Sequence, residues 1–127
     1  MAEVVLDASV LLAAIMEEPG YEAVLELSDP ALLSAVNLAE TRSRLVDHGF
    51  DRQAIDTSIG LFNMKIVDFD AELAGISADL RPATRVAGLS LGDRACLALA
   101  QRQGVVALTA DRAWARIDVP VEIRVVR

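Results

Sequence analysis

Thiol chemistry has one residue to draw on, Cys96. A lone cysteine excludes an internal disulfide framework and fits a reducing compartment. Histidine is also present once, as His48. No serine pairs with it as a nucleophilic triad would require, and no glycine-rich loop is present to cradle a phosphate. The longest apolar run, residues 10–16, is far too short to span a bilayer. The first residues, MAEVVLDAS, carry no basic stretch ahead of an apolar one, so no signal peptide is expected. There is no repeat and no low-complexity run. These absences together predict a cytoplasmic protein with no membrane association.

Lysine is nearly missing too. Of the 12 Lys and Arg residues only Lys65 is a lysine, against 19 Asp and Glu and a net charge of −7. Arginine offers a planar fork suited to phosphate or carboxylate, although codon bias also produces such a count. No basic nucleic-acid-binding surface is visible in these totals. Any contact with nucleic acid has to be local, at a place where something neutralises the acids.

What the sequence does have is apolar mass. The 127 residues fit one domain, spanning 1–127, and 54% of them are hydrophobic with a mean hydropathy of +0.39. That is enough for a full core, with a surplus for a subunit interface that includes Leu11, Leu12, Ile15 and Val24.

Strand-like and helix-like segments alternate. Strands are expected at 4–6, 32–34, 65–67, 105–108 and 121–125. Helices are expected at 9–17, 21–27, 37–48, 51–61, 70–80, 90–102 and 111–116, with Pro19-Gly20 breaking the first and a loop at 81–89. Short strands that are apolar throughout, separated by helices, imply a parallel sheet covered on both faces. The predicted class is therefore α/β, a three-layer α/β/α sandwich. The helix at 90–102 is apolar nearly all round, and its small residues allow it to lie close to the sheet.

Parallel strands share one C-terminal edge, and the crossover helices begin at that edge, where open parallel sheets bind ligands. Asp7 follows the first strand. Glu40 and Asp93 fall in the first turns of helices, Asp111 follows the fourth strand, and Asp70 lies beyond the third. Each has a purely structural explanation as a helix cap. Asn37-x-x-Glu40 and Ser90-x-x-Asp93 match the capping-box spacing, and acids in first turns suit the helix dipole. As a group they are harder to explain that way. Two carboxylates about 5 Å apart repel by roughly 3 kcal/mol at an effective dielectric of about 20. Convergence then demands a cation or protons, and an all-oxygen set suits Mg²⁺ or Mn²⁺.

Four motifs carry a family resemblance. They are a strand ending in Asp7-x-Ser9, the helical Glu40, Gly92-Asp93 leading into ACLALA, and LTADRAW at 108–114. In this order the chain resembles PIN-domain ribonucleases, most closely the VapC-type toxins of toxin–antitoxin pairs, over nearly its whole length. The resemblance implies a PIN-like fold and a metal-dependent endoribonuclease. Its metal-binding and catalytic acids map onto Asp7, Glu40, Asp93 and Asp111. Ser9 and Thr109 match the hydroxyl positions that support them, whereas Asp70 matches none and stays a helix cap.

One or two Mg²⁺ or Mn²⁺ ions would lower the pKa of a bound water and polarise the scissile phosphate. By resemblance the products carry a 5′-phosphate and a 3′-hydroxyl. The implied partners are an RNA substrate such as tRNA or rRNA, a VapB-like antitoxin whose tail covers the acidic pocket, and a second copy of the chain. Arg94, Arg112 and Arg116 are candidates for phosphate contacts, with solvated helix arginines as the competing reading. Trp114 either stacks on a base or packs in the core. His48 suits the end of a helix.

Two other functions compete with this reading. A haloacid-type phosphatase wants an Asp where Ser9 stands, and a receiver domain wants a late lysine that is missing. A PIN fold serving as a non-catalytic protein- or RNA-binding module is the second hypothesis. Degenerate members would be expected to lose acids that this chain keeps.

Overall fold

The computed structural model describes residues 4–19 and 21–126. Gly20 of the expected Pro19-Gly20 break and the first three residues of the stretch read for a leader lie outside them. The sheet has five parallel strands: β1 (Val4–Leu6), β2 (Ala31–Ser34), β3 (Met64–Val67), β4 (Val106–Thr109) and β5 (Ile123–Val125), in the order β3-β2-β1-β4-β5. Among the described residues no helix is long and apolar enough to cross a membrane.

Side chains along a strand alternate between faces, and here each face has its own core. Val5, Leu32 and Ala107 belong to one, with Leu73, Leu97 and Trp114. Val4, Leu6, Ala31, Leu33 and Leu108 belong to the other, with Val10, Leu11 and Val24. This double burial is why the central strands read as continuous apolar runs. The outer strands differ: Lys65 and Ile66 on β3 and Arg124 on β5 are exposed, and charges on edge strands discourage pairing with another chain.

Among the described residues seven α-helices connect the strands: α1 (Ala8–Ile15), α2 (Glu22–Leu25), α3 (Ala35–Asp47), α4 (Arg52–Gly60), α5 (Ala71–Asp79), α6 (Arg81–Thr84) and α7 (Leu91–Gln103). A 3-10 helix, Arg112–Arg116, links β4 to β5. Asp51, Asp70 and Ser90 cap α4, α5 and α7 through their side chains. The left-handed Gly104 (φ 65°) ends α7, a conformation that costs a residue with a Cβ. On α7, Ala95, Cys96, Leu97 and Ala98 are fully buried, as the small-residue pattern predicts.

Two expectations need correction. Part of the stretch read as a loop is helical (α6), because Pro82 in its first turn presets the backbone. Of the apolar residues assigned to a surplus, Leu11 and Val24 are in the core, where α1 and α2 pack on the sheet. The large exposed hydrophobics are instead Leu25, Val46, Leu61, Ile66, Val86 and Leu91.

Candidate active site

β1 and β4 are adjacent, with Leu6 paired to Leu108. Asp7 and Thr109 are the next residues along, so parallel pairing alone brings a carboxylate and a hydroxyl together. The Thr109 hydroxyl donates to Asp7 Oδ2 at 2.7 Å, and Thr109 Oγ1 accepts from the Asp111 N–H at 3.0 Å. Ser9 makes a second bridge. Its hydroxyl donates to Asp7 Oδ1 at 2.7 Å and accepts from the Ala110 N–H at 3.0 Å. Asp7 also caps α1, accepting from Val10 N–H at 3.0 Å. The end of β4 is thus wired to the end of β1 through the Thr109 hydroxyl and the Ala110 N–H.

Asp7, Glu40, Asp93 and Asp111 all line one depression of about 240 Å³ at this edge, together with Ser9, Leu12, Arg44 and Ser90. They come from the end of β1, from α3, from α7 and from the end of β4. The capping explanation holds for three of them. Asp7 caps α1, Asp93 completes a capping box with Ser90, and Asp111 caps the 3-10 helix through Ala113 N–H. For Glu40 it fails: Ser34 caps α3, and Asn37 lies inside the helix, where its Nδ2 donates to Glu40 Oε1 at 3.0 Å.

Capping does not exhaust these groups. An ionised carboxylate has about four acceptor positions. Asp7 uses three on donors of this chain. Asp93 accepts through Oδ2, Asp111 through Oδ1 and Glu40 through Oε1. Among the described residues no hydrogen bond reaches their other oxygens.

Electrostatics agree with the geometry. Burial pushes Asp7 up to about 6, against the hydrogen bonds from Ser9, Thr109 and Val10, and the charge of Asp93 adds to the rise. Glu40 is raised by burial and by Asp93, and Asp93 by burial and by Asp111. The four acids therefore feel one another. Cys96, fully buried, is also pushed up, by burial first and then by the charges of Asp7, Asp93 and Glu40.

A divalent cation fits this donor set in one respect and not in another. The ligands are all oxygen, three carry acceptor positions with no protein donor, and charge would relieve their mutual repulsion. Yet among the described residues no group of three or more His, Cys, Asp or Glu side chains is placed to hold a metal ion between them. An open depression suits Mg²⁺, which keeps several waters and binds through one or two carboxylates. Ca²⁺-type cages and zinc sites call for more.

The arginines divide. Arg94 is a correction. It is 7% exposed, its guanidinium donates to Ser77 O at 3.0 Å, and the Ser77 hydroxyl in turn donates to Arg94 O at 3.4 Å. It joins α7 to α5 and is withdrawn from any phosphate. Arg112 and Arg116 are exposed on the 3-10 helix, outside the lining of the depression. Trp114 is 1% exposed and packs in the core. The arginine that does line the depression is Arg44. Its position one turn after Glu40 was the available sign, since residues four apart share a helix face.

Gly92, named in a motif, and Asn37, expected to open a capping box, have a contact that the sequence does not show. Asn37 Nδ2 donates to Gly92 O at 3.0 Å as well as to Glu40, joining α3 to α7. A Cβ on Gly92 would collide with the Glu40 carboxylate.

The profile of the PIN domain family matches residues 4–120. No curated protein sequence matches the chain. Several solved structures resemble it in fold. VapBC2 from Rickettsia felis, bound to a DNA fragment from its promoter, matches with a TM-score of 0.74 at 20% identity, covering 95% of this chain and 96% of that one. DNA-bound VapBC from Salmonella typhimurium gives 0.73 at 18% identity, covering 100% of both. VapC20 from Mycobacterium tuberculosis, a toxin that cleaves the Sarcin-Ricin loop, gives 0.64 at 15% identity, covering 83% and 87%.

Proposed function

The chain belongs to the PIN domain family, and from that premise we propose that it is a metal-dependent endoribonuclease, the toxin of a type II toxin–antitoxin pair. One observation carries the reading. Asp7, Glu40, Asp93 and Asp111, from four separate elements, line a single depression. That the structurally similar VapC20 is a toxin that cleaves the Sarcin-Ricin loop supports it.

Asp7, Asp93 and Asp111 would be ligands or near-ligands of Mg²⁺ or Mn²⁺, some of them through water, with Glu40 set further back and acting through water. A cation held there supplies Lewis-acid chemistry, making water more acidic and offsetting the charge of a phosphodiester. The chain's own residues do the positioning. Thr109 and Ser9 fix both oxygens of Asp7, Ser90 holds one oxygen of Asp93, and Asn37 holds one of Glu40. Such supporting hydrogen bonds orient carboxylates toward a metal. Burial of Asp7 raises the cost of leaving its charge uncompensated.

The partners belong to the same reading. A VapB-like antitoxin would cover the acids, and a second copy of the chain would complete a homodimer. That the similar structures include toxin–antitoxin complexes supports the first. Exposed Leu25 and Leu61, beside Phe62 and Met64, supply apolar area for a partner.

The deciding experiment incubates a mixed tRNA and rRNA pool with the protein in Mg²⁺ or Mn²⁺, with EDTA and the Asp93→Asn variant as controls. Asparagine can still accept from Ser90 N–H, so that variant should fold. Cuts that need metal and vanish in both controls are expected, and they name the substrate. An Asp93→Asn protein that cuts at the parent's rate would sink the assignment. No cutting and no stabilisation by Mn²⁺ would leave Asp7, Asp93 and Asp111 as helix caps and the chain as a binding module.

A further inference from the structure

The depression that holds the acids does not end with them. A second one, also about 240 Å³, adjoins it and shares Ser9, Leu12 and Arg44 with it. The two form one groove between α1 and α3. Ser9, Leu12 and Met16 form its α1 wall, at the i, i+3, i+7 spacing of one helix face. Glu40, Arg44 and His48 form the other, at i, i+4, i+8. Along α3 the groove runs about 12 Å from Glu40 to His48.

Its chemistry changes along that length. At one end stand the four carboxylates. One turn on comes Arg44, exposed, which lowers the Glu40 pKa by its charge. The three ion pairs found among the described residues, Arg42–Asp56, Arg102–Asp70 and Arg102–Glu72, do not involve it. One turn further is His48, also exposed, with Nδ1 at 2.7 Å from Arg44 O. A carbonyl only accepts, so Nδ1 donates to it and Nε2 is the ring nitrogen left for another partner. Opposite them Leu12 and Met16 are half-buried and apolar. Glu18 lines the far end.

We infer that this groove holds the single-stranded RNA next to the scissile bond, with Arg44 on a phosphate, His48 on a ribose hydroxyl and a base laid over Leu12 and Met16. The inference rests on the nuclease reading above and adds the substrate's path. A guanidinium matches a phosphate oxygen pair. The second imidazole nitrogen can hydrogen-bond a 2′-hydroxyl, which both donates and accepts and is the group that tells RNA from DNA. An apolar floor takes an unstacked base, which only a single strand presents, and methionine adapts to any of the four. The positive charge that the whole chain lacks is supplied here by one arginine beside the acids. A second copy of the chain, or an acidic protein segment, is the competing occupant.

The test uses the full chain carrying Asp93→Asn, so that RNA is bound without being cut, and a labelled oligouridylate with Mg²⁺ present. Affinity is read by fluorescence anisotropy over a salt series. Adding Arg44→Gln should weaken binding about 5- to 10-fold and reduce the log–log salt slope by about 0.7, the value for one phosphate contact on a single strand. Adding His48→Ala should shrink the preference for oligouridylate over the matching deoxy-oligomer by about 3-fold, the scale of one hydrogen bond. In the active chain Arg44→Gln should raise KM and leave kcat in place. If the Asp93→Asn protein binds RNA and Arg44→Gln changes neither affinity nor slope, the groove is not the RNA path, and the nuclease reading stands. If the parent neither binds nor cuts RNA, both fail together.

Discussion

The backbone of Gly92 in α7 lies against the carboxylate of Glu40 in α3, so closely that a Cβ on Gly92 would overlap both Glu40 oxygens. Two helices that start at the same sheet edge meet here, backbone on one side and the Glu40 side chain on the other. The Asn37 amide closes the contact from the α3 side, reaching both Gly92 O and Glu40 Oε1.

Gly92→Ala should therefore displace Glu40 and leave the fold alone. The far end of a flexible side chain moves cheaply, and alanine improves helix propensity by about 1 kcal/mol. Cleavage should fall about 10- to 100-fold, the usual range for disturbing a ligand's support. Parallel cleavage assays and thermal melts check this. A large drop in melting temperature would show that the contact holds the helices together rather than placing Glu40.

Thr109→Val keeps shape and removes the hydroxyl that joins Asp7 to the Asp111 backbone. Thr109 is 0% exposed, so no solvent replaces the lost partner. Stability should fall by about 1–3 kcal/mol in urea titrations, and metal-dependent cleavage should fall with it. Thr109→Ser retains the hydroxyl and should restore most of both.

The acids give the metal-free protein an inverted pH dependence. The Asp7 pKa is about 6 in the folded chain against 3.8 as its reference. A raised folded pKa means the stabilising contribution is complete below about pH 4 and is lost as pH rises through about 6. The difference corresponds to about 3 kcal/mol, and Glu40 and Asp93 shift in the same direction. Asp70, lowered by Leu73 N–H and Arg102, acts the opposite way at the acid end. Melting in EDTA should thus show greater stability near pH 5 than at pH 7.5. Mg²⁺ or Mn²⁺ should restore stability at the higher pH. A melting temperature in EDTA that rises steadily from pH 5 to 7.5 would contradict this.

Arg94→Gln separates the structural arginine from the one in the groove. Loss of the buried bond to Ser77 O should cost about 1.5–3 kcal/mol, the scale for a charged donor. RNA affinity and its salt slope should not move. A reduced slope would return Arg94 to the phosphate contacts from which its burial removes it.

Much of this protein is readable without a structure. Continuous apolar strands between helices have few arrangements other than a parallel sheet, and a parallel sheet sends every strand end to one edge. From that rule Asp7, Glu40, Asp70, Asp93 and Asp111 fall at a common edge, the family resemblance sets Asp70 apart as a cap, and the structure places the other four in one depression. Caps at Asp51, Asp70 and Ser90 are equally local, because a side chain and the backbone three residues on meet in any chain.

Tertiary structure decided what depends on which surfaces touch. Arg94 follows directly after Asp93, yet one lines the groove and the other is buried, because α7 packs against α5 on one side and α3 on another. Ser34, not Asn37, caps α3, and this frees Asn37 to bridge two helices. Gly92 looks like an ordinary helical residue until Glu40 arrives across the edge. Arg44 and His48 look like two surface cations until α1 is laid beside them. Helix periodicity sets which residues share a face. Only the packing of one helix on another sets what that face meets.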